Sequence, residues 1–219
     1  GSGAGALTGA FVAASEGLDT LVIEATDKFG GTTCYSGGAV WLPGNQASQR
    51  DGLDDTNDIA LDYFKQVVGD RTPRDQQEAF VRGGPKVVEY LERSARIKFF
   101  WFAFPDYYAD IGCPPAHARG RDVLTLPLPL SEAGEFADKV RTQMPQDIAG
   151  LPEPDSMNGG RSLVGRLLLA CRDAGARLRL NTRLDSLIEA DGGVIGAVAH
   201  TPSGALRIRA RRGIVMAAG

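Results

Sequence analysis

The chain has 219 residues, 43% hydrophobic and 23% charged, with a formal net charge of −3. That balance supports a globular fold with a sizeable core, excludes a disordered polymer, and offers no electrostatic footprint for nucleic acid. No stretch approaches the roughly 20 apolar residues of a membrane-spanning helix, and the start lacks a basic segment leading into an apolar run.

These features lead us to expect a cytoplasmic protein, with peripheral membrane association left open. Cys34, Cys113 and Cys171 are widely spaced and odd in number, which fits a reducing compartment better than a disulfide framework. With only His117 and His200 beside them, no metal-ligand cluster can be drawn and no metal is expected.

The opening "GSGAGALTGAFVAASEGLDTLVIEAT" reads as a glycine-rich turn, a helix from Ala4 to Glu16 and a buried strand over Thr20–Glu24. This is the later part of a βαβ unit, and we expect its first strand to precede residue 1. "GSGAGA" fits G-x-G-x-x-G/A with Gly1, Gly3 and Ala6, Ser2 lying between the glycines. The first glycine permits a tight turn, the second lets backbone approach a pyrophosphate, and the small third residue lets helix and strand pack. The helix start turns free N–H groups and a positive dipole end toward phosphate. About 20 residues on, Glu24, with Ala25 beside it, ends the strand where a carboxylate can hold an adenosine ribose. An acid there, rather than an arginine, argues against a 2′-phosphate and leaves FAD or NAD.

A second glycine cluster comes next, "KFGGTTCYSGGAVWLPGN". Its glycines allow close approach to a flat ring, and Thr32, Thr33 and Ser36 supply short hydrogen-bonding groups. Amphipathic helix patterns run through "DTNDIALDYFKQVVG" and "RDQQEAFVRGGPKVVEYLERS"; a proline-rich, irregular tract covers Phe104 to Pro154. Helix returns in "GGRSLVGRLLLACRDAG", and three β-like runs come after it. The basic "RIRARR" at 207–212 alternates like a half-exposed strand, and "GIVMAAG" at 213–219 reads as an apolar strand. We divide the chain into a glycine-rich part (1–45), a mainly helical and irregular insertion (53–155), and a return to the first domain (156–219).

The run "FFWFAFPDYY" at 99–108 places seven aromatics in ten positions. It suits a core element or the wall of an apolar pocket equally well.

Several of these segments carry a resemblance. "FGGTTCYSGG" after an acid-terminated strand resembles the succinate dehydrogenase and fumarate reductase flavoprotein superfamily. In that superfamily such segments wrap the pyrophosphate and flank the flavin, which implies FAD contacts for Gly30, Gly31, Thr32, Thr33, Ser36, Gly37 and Gly38. "NTRLDSLI" and "GIVMAAG" look like two further superfamily elements, implying cofactor contacts at Leu184 and Ala217. The implied fold is α/β, a Rossmann-like (glutathione reductase-type) FAD-binding domain with a helical insertion, incomplete at both ends.

"GSGAGALTGA", "DKFGGTTCYSGGAVWLPGN", "FPDYY" and "MNGGRSLVGRLL" together are similar to the bacterial 3-ketosteroid Δ1-dehydrogenases over essentially the whole chain. The resemblance implies removal of a proton from C2 of the steroid A ring and hydride transfer from C1 to the flavin. It implies Tyr107 as an active-site residue supporting a second tyrosine that acts as base, Phe104 as a wall of the steroid pocket, and Ala39 as a substrate neighbour. The base and the groups holding the ketone are expected beyond residue 219, so residues 1–219 alone are expected not to turn over. The electron acceptor is unidentified, with a quinone as one possibility. Three alternatives stay open: a Δ4(5α)-dehydrogenase, a fumarate reductase-like enzyme and a non-catalytic flavin module.

Overall fold

The computed structural model describes residues 1–152 and 154–218, without the side chains of Pro145 and Asp147. In chain order the elements are α1 (Ala4–Ser15), β1 (Leu21–Ile23), β2 (Val40–Trp41), α2 (Gln46–Arg50), α3 (Asn57–Val67), α4 (Arg74–Leu91), β3 (Phe99–Phe102), β4 (Asp122–Thr125), β5 (Leu128–Pro129), α5 (Leu130–Ala133), α6 (Met144–Ala149), β6 (Ser156–Met157), α7 (Gly159–Asp173), β7 (Arg177–Arg179), β8 (Arg183–Ala190), β9 (Gly193–Thr201) and β10 (Gly204–Arg209). They form two compact units: residues 1–37 with 127–219, and residues 38–126. The divisions fall at different places from the 53–155 insertion expected. Phe29 bridges in parallel to Val140 and β5 pairs with β6, which ties 127–157 to the glycine-rich unit.

In the first unit α1 buries Leu7, Ala10, Phe11 and Ala14, one face at helical spacing. It packs on α7, which buries Leu163, Val164, Leu167, Leu168 and Cys171. The strands after these two helices pair in parallel, Leu21 with Arg177 through Ile23 with Arg179. Two helix–strand halves therefore lie side by side, as a Rossmann-like arrangement requires. β8, β9 and β10 form an antiparallel meander whose first turn, Asp191–Gly192, has both φ angles positive (51° and 76°); such two-residue turns match the twist of the strands they join. On β10, Arg207 and Arg209 are exposed while Leu206 and Ile208 are half-buried, the alternation read from "RIRARR".

The "GIVMAAG" run departs from expectation. Gly219 lies outside the described residues, and residues 213–218 form no ladder among those described. The run still returns to the glycine turn, because a Cβ placed on Gly1 would lie 2.4 Å from the Ala217 carbonyl oxygen.

In the second unit, β2 and β3 flank β4 antiparallel to it, and α3 and α4 supply a core of Ala60, Leu61 and Val81 against which Trp41 and Phe64 pack. Local capping sets the helix starts. Thr56 accepts the Ile59 amide for α3, and Asn45 accepts the Ala47 and Ser48 amides for α2.

The tightest backbone approach in the first unit involves α7. A Cβ on Gly160 would lie 1.8 Å from the Thr33 carbonyl oxygen and 2.8 Å from Ser36 Oγ. A carbonyl cannot move aside as a side chain can, so Gly160→Ala is expected to destabilise the fold by about 1–3 kcal/mol. Chemical denaturation of wild type and variant measures this; an unchanged midpoint would contradict the packing.

Candidate functional site

In the first unit a hydrogen-bonded cluster joins the glycine turn, the acid after β1 and the second glycine segment. Ser2, 1% exposed, donates from Oγ to Glu24 Oε2 (2.7 Å) and accepts the Gly30 amide (2.9 Å). The other Glu24 oxygen accepts the Thr26 amide (2.9 Å) and hydroxyl (3.1 Å). The Thr182 amide holds the Glu24 carbonyl at 2.8 Å, which places Leu184 two residues beyond that anchor at the start of the meander.

Gly30 has φ +117°, and a Cβ on it would lie 2.1 Å from Cys34 Sγ. The 31–35 turn is therefore seated on a buried thiol. Thr33 Oγ1 accepts the Ala4 amide (3.1 Å), and the Thr33 carbonyl accepts Ser36 Oγ–H (2.8 Å). Behind the turn, Gly160 N–H donates to the Ser36 carbonyl (3.2 Å).

The start of α1 is built for an anion. Its cap, Gly3, contributes no side-chain hydrogen bond, and the first turn carries no acid. The first intrahelical bond runs from the Leu7 amide to the Gly3 carbonyl, so the Gly5 and Ala6 amides have no intrahelical acceptor. Thr32, Ser36, Gly37 and Ala25 are exposed, and a Cβ on Gly31 or Gly37 would meet nothing within 4 Å. The donors, the acid and the open glycine surface fit a dinucleotide bearing a pyrophosphate.

The structure thus brings together Gly1, Ser2, Gly3, Ala6, Glu24, Ala25, Gly30, Gly31, Thr32, Thr33, Ser36, Gly37 and Ala217, with Leu184 nearby along the chain. Gly38, Ala39, Phe104 and Tyr107 belong to the second unit. There Ala39 directly precedes β2, and Phe104 lies two residues past the end of β3. The registers against β4 set these two at opposite ends of the sheet.

The aromatic run divides. Phe99 is buried, whereas Phe102, Phe104 and Tyr107 are 39%, 60% and 89% exposed. Phe102 and Phe104 stack, with ring centroids 6.4 Å apart, and Asp106 between the exposed residues is buried.

Sequence reasoning missed Thr26 and Arg141. Arg141 reaches Thr26 Oγ1 (3.2 Å) and the Tyr35 hydroxyl (3.4 Å). Its position in the irregular tract gave no periodic signal, although a threonine two residues after the strand-ending acid could have been noticed.

The family described as "FAD binding domain" matches residues 1–219. A glycine turn, a strand-ending acid and a second helix–strand half define a dinucleotide-binding domain; with that match, the chain belongs to the FAD-binding domain family, and its cofactor is FAD. It is 39% identical over its whole length to a 3-oxosteroid 1-dehydrogenase of Rhodococcus opacus, covering 42% of that protein. It is 32% identical to a 4-oxocyclohexanecarboxylate 2-dehydrogenase of Sinomonas cyclohexanicum, again covering all of this chain and 42% of the relative. Among solved structures, it resembles the 3-ketosteroid Δ1-dehydrogenase of Sterolibacterium denitrificans bound to 1,4-androstadiene-3,17-dione. That match has a TM-score of 0.85 and 28% identity, covering all of this chain and 46% of the other. The chain thus spans less than half the length of these relatives. Among the described residues no helix is long and apolar enough to cross a membrane.

Burial alone would raise the Glu24 pKa, but the Ser2 hydroxyl and the Thr26 amide and hydroxyl outweigh it and hold the group below its ordinary 4.5. A depressed acid stabilises the fold above its unfolded pKa, and that contribution disappears as pH falls through the folded value. Glu24→Gln is therefore expected to be less stable than wild type at neutral pH, with the gap closing below about pH 4.5. Melting curves across that range test the sign; a gap that widens in acid would refute it.

Burial also pushes the thiols of Cys34 and Cys171 up to about 12. In the native protein iodoacetamide should label Cys113 while sparing the other two until unfolding, as peptide mass spectrometry would show. Rapid native labelling of Cys34 would contradict its place behind Gly30.

Proposed function

We propose that the protein is an FAD-dependent dehydrogenase that introduces a double bond between C1 and C2 of the A ring of 3-ketosteroids. The observation that carries this reading is the pair Phe104 and Tyr107, exposed on either side of a buried acid, in a chain 39% identical to a 3-oxosteroid 1-dehydrogenase. A fused-ring steroid offers mainly apolar surface, worth about 25 cal/mol per Å² when buried, and large rigid rings suit that contact.

Bound FAD supplies the acceptor for the hydride that leaves C1. On this reading the chain's own residues divide the remaining work. The open first turn of α1, with the Gly5 and Ala6 amides, would hold the pyrophosphate, and Glu24 the adenosine ribose. Gly31, Thr32, Ser36 and Gly37 would lie along the flavin, with Ala217 and Leu184 as further contacts. Phe104 and Ala39 would bound the steroid. The 3-keto group acidifies the C2 hydrogen, and Tyr107 would support the tyrosine that removes it, a task for which a phenol of pKa about 10 needs help.

The fully buried free thiols of Cys34 and Cys171 suit a reducing cytoplasm.

Anaerobic mixing of the full-length flavoprotein with 4-androstene-3,17-dione is expected to bleach the flavin and yield a 1,4-diene-3-one, identified by mass spectrometry and NMR. Tyr107→Phe should retain FAD yet lose about 100-fold or more in kcat. A flavin that stays oxidised would overturn the reading and turn the search to 5α-steroids and then to 4-oxocyclohexanecarboxylate.

A further inference from the structure

Arg121 is the largest fully buried side chain among the described residues, and it lies in the second unit. Its guanidinium donates to Asp55 Oδ1 (2.9 Å), to Asp106 Oδ2, and to the Pro115 carbonyl (3.0 Å). Asp106 collects further donors, the indole N–H of Trp41 at Oδ1 (2.9 Å) and the His117 amide at Oδ2 (2.8 Å). Its own amide donates to the His117 carbonyl (3.0 Å). The Trp41 and Tyr63 ring centroids lie 5.9 and 5.6 Å from the guanidinium carbon. Asp122 also lies close enough to Asp106 to feel its charge.

These bonds bear on the aromatic loop. Asp106 is 4% exposed, yet Phe104 before it and Tyr107 after it are 60% and 89% exposed. The loop is therefore anchored by its acid and displays its rings. Apolar rings left to themselves would fold onto the nearest apolar surface; a buried carboxylate with three protein donors fixes the backbone so that they cannot.

We propose that the Asp106–Arg121 pair is a positioning device for Tyr107 and Phe104, setting where the two rings stand for the chemical step. The proposal rests on the function given above. Asp106 and Arg121 are positioning residues, since neither is exposed enough to touch substrate.

The test uses the full-length flavoprotein with Asp106→Asn, which nearly keeps the shape and removes the charge that pairs with Arg121. A misplacement of about 1 Å can cost about 100-fold in rate. We expect kcat per bound FAD to fall about 10- to 100-fold with KM changing less, and hydrogen exchange to accelerate at the amides of residues 106–109 and 117. A merely structural role would lower FAD content and melting temperature but leave kcat per bound FAD intact, and that result overturns the proposal. So does unchanged exchange in the loop.

If Asp106→Asn fails to fold, Trp41→Phe decides by the same two readouts, because it deletes one donor to Asp106 and keeps a ring. If the wild-type enzyme is inert toward every 3-ketosteroid, the function above fails on its own. Loop exchange then decides the positioning, upheld by acceleration and overturned by none.

Discussion

The cofactor unit depends on one hydroxyl. Ser2 Oγ donates a hydrogen bond to Glu24 and accepts one from the Gly30 amide, joining segments 22 and 28 residues away in sequence. At 1% exposure it is closed to solvent. Without it a buried carboxylate oxygen and a buried amide would both lose a partner, at about 1–3 kcal/mol for each group left unsatisfied. The position of Gly30 in turn governs the rest of the second glycine segment: its left-handed backbone seats the 31–35 turn on Cys34, and α7 closes on the same turn through Gly160. Groups suited to hold FAD are thus set by contacts that need not involve it.

The second unit is organised in the same way with a charge in place of a hydroxyl. Burying an arginine and two aspartates carries a desolvation cost that their attraction need not exceed. Exchanging such a group for apolar residues is often neutral or stabilising, so its presence here is poorly explained by stability alone. What the network supplies is direction. Each donor on Asp106 comes from a different stretch: β2 through Trp41, the 113–119 loop through His117, and the residue before β4 through Arg121. A carboxylate held from three sides has one position, and so does the backbone on either side of it.

The parts of this architecture legible in the sequence were those with local cause. The α1 helix, its strand and the α3, α4 and α7 helices arise from spacing and caps, and "GSGAGA" and Glu24 marked two segments that the structure joins through Ser2. The unit boundary was not legible, because Phe29 meets Val140 across more than a hundred residues and the tract around Val140 has no period to read. Arg141 was missed for the same reason. The aromatic run left core and pocket in balance because its residues divide: Phe99 serves the core, and Phe104 and Tyr107 face out. No pattern in one sequence marks Asp106 as the divider, since its partners come from 65 residues upstream and 15 downstream.

The glycines of the second cluster can be sorted by what requires them. Gly30, Gly31 and Gly38 have φ angles of +117°, +51° and +77°, so backbone conformation alone favours glycine at each. Gly37 is different. Its φ is not in that region, and a Cβ on it would meet nothing within 4 Å. Neither strain nor packing within the chain accounts for it, and glycine elsewhere in a loop costs conformational entropy on folding. On the function proposed above, the cofactor would account for it by coming closer than a side chain would allow.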